Sequence, residues 1–173
     1  MPTSFAVIVG VEKFVDPNIG AVGHAESDAK AVAAALEGIG WTKENQTVLL
    51  SADASQANVR YSLKQQLAAA TKDDTLFFFF SGHGAALGTE SHLIVRDSRL
   101  GDLKDTSLSL HDIFRWIDES NLKVVSSNLT PAPNLKRLPL LGRCFCLATY
   151  GCETKSRYVD YNNTWLMGID LEG

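Results

Sequence analysis

Residues 75–84 read Thr-Leu-Phe-Phe-Phe-Phe-Ser-Gly-His-Gly and begin with the most apolar segment of the 173-residue chain. Successive side chains of a β-strand point to opposite faces of a sheet. A strand in which all of them are apolar therefore has no face that is suited to water. We expect this strand in the middle of a sheet that is covered on both sides.

Apolar patterns on either side of this segment predict alternating strands and helices. Short apolar runs indicate further strands at residues 6–9, 47–50 and 92–95, and the beginning of another at residues 122–125. Apolar residues at helical spacing indicate helices at residues 29–36, 59–70 and 110–117, and the first helix is expected to begin at Ser27 or Asp28. This order predicts an α/β fold with a mostly parallel central sheet.

The composition is that of an ordinary globular protein. Hydrophobic residues make up 45% and charged residues 21% of the chain, which argues against a disordered or fibrous protein. A net charge of −4 argues against a nucleic-acid partner. No apolar run has the length of a membrane span and the N-terminus lacks the features of a signal peptide, so no membrane partner is expected. Three cysteines, an odd number, favour a reducing compartment, and we expect a cytoplasmic protein.

His83 lies between two glycines after the apolar strand. Catalytic groups of parallel sheets gather beyond the carboxyl ends of the strands, so we expect the His83 ring to project into a crevice, available for proton transfer. The alternative is a loop histidine without a function. Gly82, Gly84 and Gly88 do not form a phosphate loop, because their spacing is one residue too long for dinucleotide binding and no Lys-Ser/Thr pair follows.

Residues 77–84 resemble the strand and histidine motif of the caspase-like cysteine peptidases, especially metacaspases and their bacterial relatives. Other segments resemble parts of that family in the same order, at residues 5–10, 24–29, 92–97 and 107–116. The resemblance covers about residues 5–125. It implies a caspase-like, Rossmann-like α/β/α sandwich that is incomplete at the C-terminus. The domain of the large-subunit type would occupy residues 1–125, followed by an atypical, irregular segment at 126–173.

The resemblance implies a cysteine endopeptidase that cleaves a protein or peptide substrate with a histidine and cysteine dyad. A thiol is mostly protonated at pH 7, so His83 would take its proton and later protonate the leaving amine. The backbone N–H of Gly84 would help to bind the oxyanion. Asp28 would line a pocket for a basic P1 side chain, and an equally open role for this carboxylate is to interact with the helix dipole.

The nucleophilic cysteine is missing from its expected place. In caspases it lies about 50 residues after the histidine, and in the family pattern it follows an aspartate as Asp-x-Cys. This chain has Pro131 and Pro133 there, which do not fit a central strand. Its cysteines are Cys144, Cys146 and Cys152. Cys144 and Cys146 are both possible nucleophiles. The spacing of the three cysteines does not fit a metal site, and no cofactor is expected.

The segment after Val125 also differs in charge. Residues 1–125 hold 11 basic and 16 acidic side chains, whereas residues 126–173 hold 5 and 4. One hypothesis is a changed reading frame, because residues 129–132, if encoded as CTG ACG CCT GCC, would read Asp-Ala-Cys after loss of the first two bases.

Two alternatives to the peptidase are a non-catalytic caspase-like interaction module and a truncated or frameshifted inactive product. For the chain as written we expect little or no peptidase activity.

Overall fold

The computed structural model describes residues 4–120 and 122, together with the backbone of residues 141–149, 157–161 and 164–168. The strands and α-helices of this part are β1 Ser4–Gly10, α1 Ala25–Gly38, β2 Gln46–Leu50, α2 Gln56–Ala69, β3 Thr75–Leu87, β4 Glu90–Leu93, α3 Leu103–Thr106, β5 Leu108–Ser109, α4 Leu110–Asp118, β6 Leu141–Thr149, β7 Arg157–Tyr161 and β8 Thr164–Gly168. The α/β fold predicted from the sequence is confirmed.

The strands form one sheet in the order β2-β1-β3-β6-β8-β7, with β4 paired to the second half of β3 and β5 paired to β4. β1 pairs in parallel with β2 and with β3. β3 pairs antiparallel with β4 and β6, β6 is parallel to β8, and β7 is antiparallel to β8. The core of the sheet is therefore parallel, as the sequence predicted, with antiparallel pairs around it.

β3 lies between β1 and β6 and carries the centre of the hydrophobic core. Its four phenylalanines, Phe77–Phe80, are at most 6% exposed. Phe78 and Phe80 pack with apolar residues of α2 and α4, whereas Phe77 and Phe79 pack on the other face with residues of α1. The predicted two-sided burial is thus confirmed. Each buried phenylalanine stabilises the fold by roughly 1.5–3 kcal/mol.

α1 begins at Ala25, before the start that the sequence predicted at Ser27 or Asp28. The reason is a hydrogen bond from a distant segment. The side chain of Glu12 accepts the backbone N–H of Glu26 at 3.0 Å, which satisfies one of the free donors of the first helical turn. The carboxylate of another segment thereby takes the role that the local pattern assigned to Ser27 or Asp28.

The prediction of irregular structure throughout residues 126–173 was wrong for three stretches, because β6, β7 and β8 lie within this range. The physical reason is pairing, because β6 lies along β3 and β7 lies along β8, and the aromatic and β-branched residues in these strands favour extended structure. Residues 123–125, where another strand was predicted, lie outside the described residues, and the boundary at residue 125 stays a prediction. Within the described residues, no helix has both the length and the apolar character required to cross a membrane.

Gly10 ends β1 where the first turn of α1 crosses it. A Cβ at this position would lie 2.9 Å from the Cβ of Ala29 and would collide with the backbone oxygen of Ala25. We expect Gly10→Ala to lower the free energy of unfolding by about 1–3 kcal/mol, because helix backbone must shift to admit the methyl group. The measurement is urea unfolding followed by circular dichroism.

The control for this prediction is Gly101→Ala, because a Cβ at Gly101 would have no atom within 4 Å. Its free energy of unfolding should stay within about 0.5 kcal/mol of that of the parent chain. Equal stability of the Gly10 and Gly101 variants would contradict the close packing of α1 against β1.

Candidate functional site

His83 lies at the point where β3 leaves its parallel partner. The pairing of β1 with β3 ends with Gly10 opposite Ser81. β3 itself continues to Leu87 and pairs with β4 from Gly84 onward. The histidine is therefore beyond the carboxyl end of β1, as expected, but inside β3 and not after it.

Residues 11–24 connect β1 to α1 and cover the His83 ring, and we call them the covering loop. The ring of Phe14 stacks on the imidazole, with 5.3 Å between the ring centroids and 23° between the planes. The backbone oxygen of Gly20 lies 2.8 Å from Nε2 of His83. His83 is only 7% exposed. The expectation that its ring projects into a crevice was wrong, because the covering loop packs on it.

The contact with Gly20 determines which nitrogen of His83 carries the proton. A carbonyl oxygen can only accept, so Nε2–H donates to it and Nδ1 of the neutral ring keeps its lone pair. Nδ1 is buried and has no hydrogen-bond partner among the described residues. A buried acceptor without a partner costs free energy, and an imidazole nitrogen in this state can take a proton from a neighbouring acid.

Asp28 lies in the first turn of α1 and close to the same part of β3. Its Oδ2 accepts a hydrogen bond from Oγ of Ser81 at 3.2 Å. Ser81 and His83 are two residues apart on one strand, so their side chains leave β3 on the same face. The position in the first turn agrees with an interaction with the helix dipole. The role of Asp28 in a P1 pocket stays a prediction.

Gly84 follows His83 and is exposed. It stands opposite Leu93 of β4 and Leu141 of β6 in the sheet. A Cβ at Gly84 would lie 3.6 Å from the backbone oxygen of His92, which is an ordinary contact distance. Packing therefore does not by itself require glycine there. The role of its N–H in binding an oxyanion stays a prediction.

The cysteines are described only by the backbone of β6 or lie outside the described residues. In the pairing of β3 with β6, Gly142 stands opposite His83, Cys144 opposite Ser81 and Cys146 opposite Phe79. The thiol positions and Cys152 are outside the described residues. The described residues thus include the histidine of the predicted dyad, and the identity of the nucleophile stays a prediction.

Asp16 is a further residue of this region that the sequence reasoning did not single out as functional. Its Oδ1 accepts the backbone N–H and the side-chain amide of Asn18, each at 2.9 Å. Its Oδ2 accepts the backbone N–H of Leu100 at 2.8 Å. The hydrogen bonds from the Asn18 and Leu100 backbones lower the pKa of Asp16, with a smaller contribution from the charge of Arg99. The only sequence signal was the turn-forming run Asp16-Pro17-Asn18.

The lowered pKa of Asp16 predicts how its contribution to stability depends on pH. The carboxylate stabilises the folded chain above the ordinary pKa of 3.8, and this contribution is lost as the pH falls through the lowered pKa. Asp16→Asn is therefore expected to be less stable than the parent near neutral pH, and the difference should decrease only below pH 3.8. Urea unfolding at a series of pH values measures it. An equal difference at about pH 6 and about pH 3 would contradict the assignment.

Comparisons with known proteins agree with this fold. The family model described as Caspase domain matches residues 3–127. No curated protein matches the chain significantly. Among solved structures, the chain is similar to the crystal structure of protein GSU0716 from Geobacter sulfurreducens, with a TM-score of 0.59 and 20% sequence identity. The match covers 71% of this chain and 48% of that chain. This chain spans about half the length of that protein, and the similarity concerns the fold alone.

Proposed function

This chain belongs to the caspase domain family, and we propose that it is a cysteine endopeptidase domain in which His83 is the general base. The observation that carries the proposal is the state of the His83 ring. Its Nε2–H is bound to the backbone oxygen of Gly20, and its buried Nδ1 has no partner among the described residues. A fixed ring with a buried free lone pair is suited to take the proton of a thiol.

The proposed reaction gives the two nitrogens of His83 different tasks. The thiol of the nucleophile gives its proton to Nδ1 of His83, and the resulting thiolate attacks the carbonyl carbon of the substrate. The electrons of the C=O bond move to oxygen, where the N–H of Gly84 donates a hydrogen bond. When the tetrahedral intermediate breaks its C–N bond, the imidazolium returns its proton to the leaving amine. Water then hydrolyses the thioester, and the carbonyl of Gly20 holds Nε2–H throughout.

A basic P1 side chain is the proposed specificity. Asp28 supports it, because this residue is half-buried and its carboxylate contacts Ser81, whose side chain leaves β3 on the same face as that of His83. A partly desolvated carboxylate favours a cationic group close to it. We further propose that the protein acts in the cytoplasm on a protein or peptide substrate. The odd number of cysteines fits a reducing compartment, and the net charge of −4 argues against a nucleic-acid partner.

For the chain as written we expect little or no turnover, because no Asp-x-Cys lies at the family position. General-base help contributes only about 10²- to 10⁴-fold in rate and requires a nucleophile to act on. The test is incubation with a peptide chloromethyl ketone that ends in arginine, followed by intact-mass measurement. No His83-dependent adduct is expected.

His83→Ala and His111→Ala are the matched variants for this test, because His111 is an exposed histidine on α4. An adduct on Cys144 or Cys146 that forms in the parent and in His111→Ala, but not in His83→Ala, would contradict the expected inactivity. It would also identify that cysteine as the nucleophile.

The nucleotide sequence of the gene tests whether the missing nucleophile is encoded in another frame, and variants of the protein expressed in that frame test the general-base role. If another frame encodes Asp-x-Cys near residue 130, the protein expressed in that frame should react with the arginine ketone. The reaction should be lost in His83→Ala and kept in His111→Ala, and Asp28→Asn should lower the preference for arginine over aspartate at P1 about tenfold or more.

Two results would overturn the proposed peptidase function. One is a gene in which no frame encodes Asp-x-Cys near residue 130, together with the absence of any adduct on the chain as written. The other is a frame-restored protein that reacts equally well after His83→Ala. In either case the non-catalytic caspase-like interaction module becomes the better assignment.

A further inference from the structure

We propose that Asp16 is a positioning residue that fixes the covering loop and thereby the ring of His83. This inference rests on the proposed function, because it assigns Asp16 a role in aligning the proposed general base. Asp16 does not touch the imidazole. It acts through Phe14 and Gly20, the two residues of the loop that do.

Asp16 stands between these two contacts in the chain. Phe14 precedes it by two residues and Gly20 follows it by four. The covering loop contains neither an α-helix nor a strand that would fix its middle part. A change of backbone direction at Asp16 would therefore move the stacked ring, the accepting carbonyl, or both.

The ends of the covering loop are attached independently of Asp16. The N–H of Val11 donates to the backbone oxygen of Ser81 at 2.9 Å, and the N–H of Val22 donates to that of Glu12, also at 2.9 Å. The side chain of Glu12 also accepts a hydrogen bond from the backbone N–H of Glu26. These bonds hold the loop where it leaves β1 and where it approaches α1.

The middle of the loop depends on bonds around Asp16. The carboxylate joins the loop to Leu100 with one oxygen and closes the turn at Asn18 with the other. The backbone adds two bonds, from Val15 N–H to the oxygen of Arg96 at 2.8 Å and from Ile19 N–H to the oxygen of Asp16 at 3.1 Å. Asp16 is 7% exposed, so water competes little for its oxygens.

An amide cannot replace this carboxylate. Both oxygens of Asp16 accept hydrogen bonds, Oδ1 from Asn18 and Oδ2 from Leu100, whereas an asparagine offers one accepting oxygen and one donating NH₂ group. In Asp16→Asn, the NH₂ group must therefore point at the N–H of Leu100 or at the N–H of Asn18, so that two donors face each other. A buried donor left without an acceptor is costly, so the loop should shift.

Asp97 provides a matched control. Its Oδ1 accepts the backbone N–H of Gln56 at 2.7 Å, so it joins the 96–100 segment to α2 by the same kind of bond. Among the described residues, this is the one hydrogen bond shown for the carboxylate of Asp97, and the oxygen of an asparagine can keep it. Asp97→Asn thus removes the same charge close to the same segment without changing the covering loop.

The test is nuclear magnetic resonance of the full chain with ¹⁵N-labelled histidine. The chain has four histidines. In the parent, His83 is expected to show the Nε2–H tautomer with slow exchange of that proton. In Asp16→Asn, exchange of the His83 Nε2 proton with water should be about tenfold faster, the factor that corresponds to one net hydrogen bond. Asn18→Ala, which removes one of the three donors, should give a smaller increase.

Two controls separate positioning from a general loss of stability. Asp97→Asn and Leu67→Val, the latter a core substitution in α2, should leave the His83 proton exchange within about twofold of the parent. An unchanged rate in Asp16→Asn, or an equal acceleration in Leu67→Val, would overturn the inference. If Asp16→Asn does not fold, Asn18→Ala against Leu67→Val decides the question. Because this readout requires no thiol and no substrate, its failure is distinct from failure of the proposed peptidase function.

Discussion

The burial of β3 on both faces is the constraint on which the described structure depends. Four consecutive phenylalanines leave the strand with no surface for water, so helices must cover both sides of the sheet. α1 covers one face, and α2 with α4 covers the other. The glycine at residue 10 lets α1 approach β1 closely enough to do so. The position of His83 follows from this arrangement, because it continues the same strand beyond its parallel partner.

The chemistry of the site arises where the regular pairing changes. β1 ends opposite Ser81, and the chain turns into the covering loop, whose backbone can then face the next side chain of β3. His83 thereby receives a carbonyl on one nitrogen and an aromatic ring on its face, while Nδ1 has no partner among the described residues. A buried polar group without a hydrogen-bond partner costs free energy, so its presence calls for an explanation.

Two carboxylates of the covering loop link it to the rest of the fold. Glu12 accepts an N–H at the beginning of α1, and Asp16 accepts the N–H of Leu100, which is 84 residues away in the chain. Both act as hydrogen-bond acceptors for backbone donors that have no regular partner. In the family pattern, Asp28 was the carboxylate of interest near this site. The structure adds Asp16, whose effect on His83 is carried by the loop.

The sequence alone determined the α/β fold, the central position of the phenylalanine strand and His83 as the candidate base, because periodicity and local motifs record which faces are buried. The tertiary structure decided what depends on residues far apart in the chain. It showed that α1 begins at Ala25 because Glu12 reaches it, that strands occur after residue 126, and that Phe14 covers the His83 ring. Local patterns carry no record of such contacts, since either partner alone looks like an ordinary loop residue.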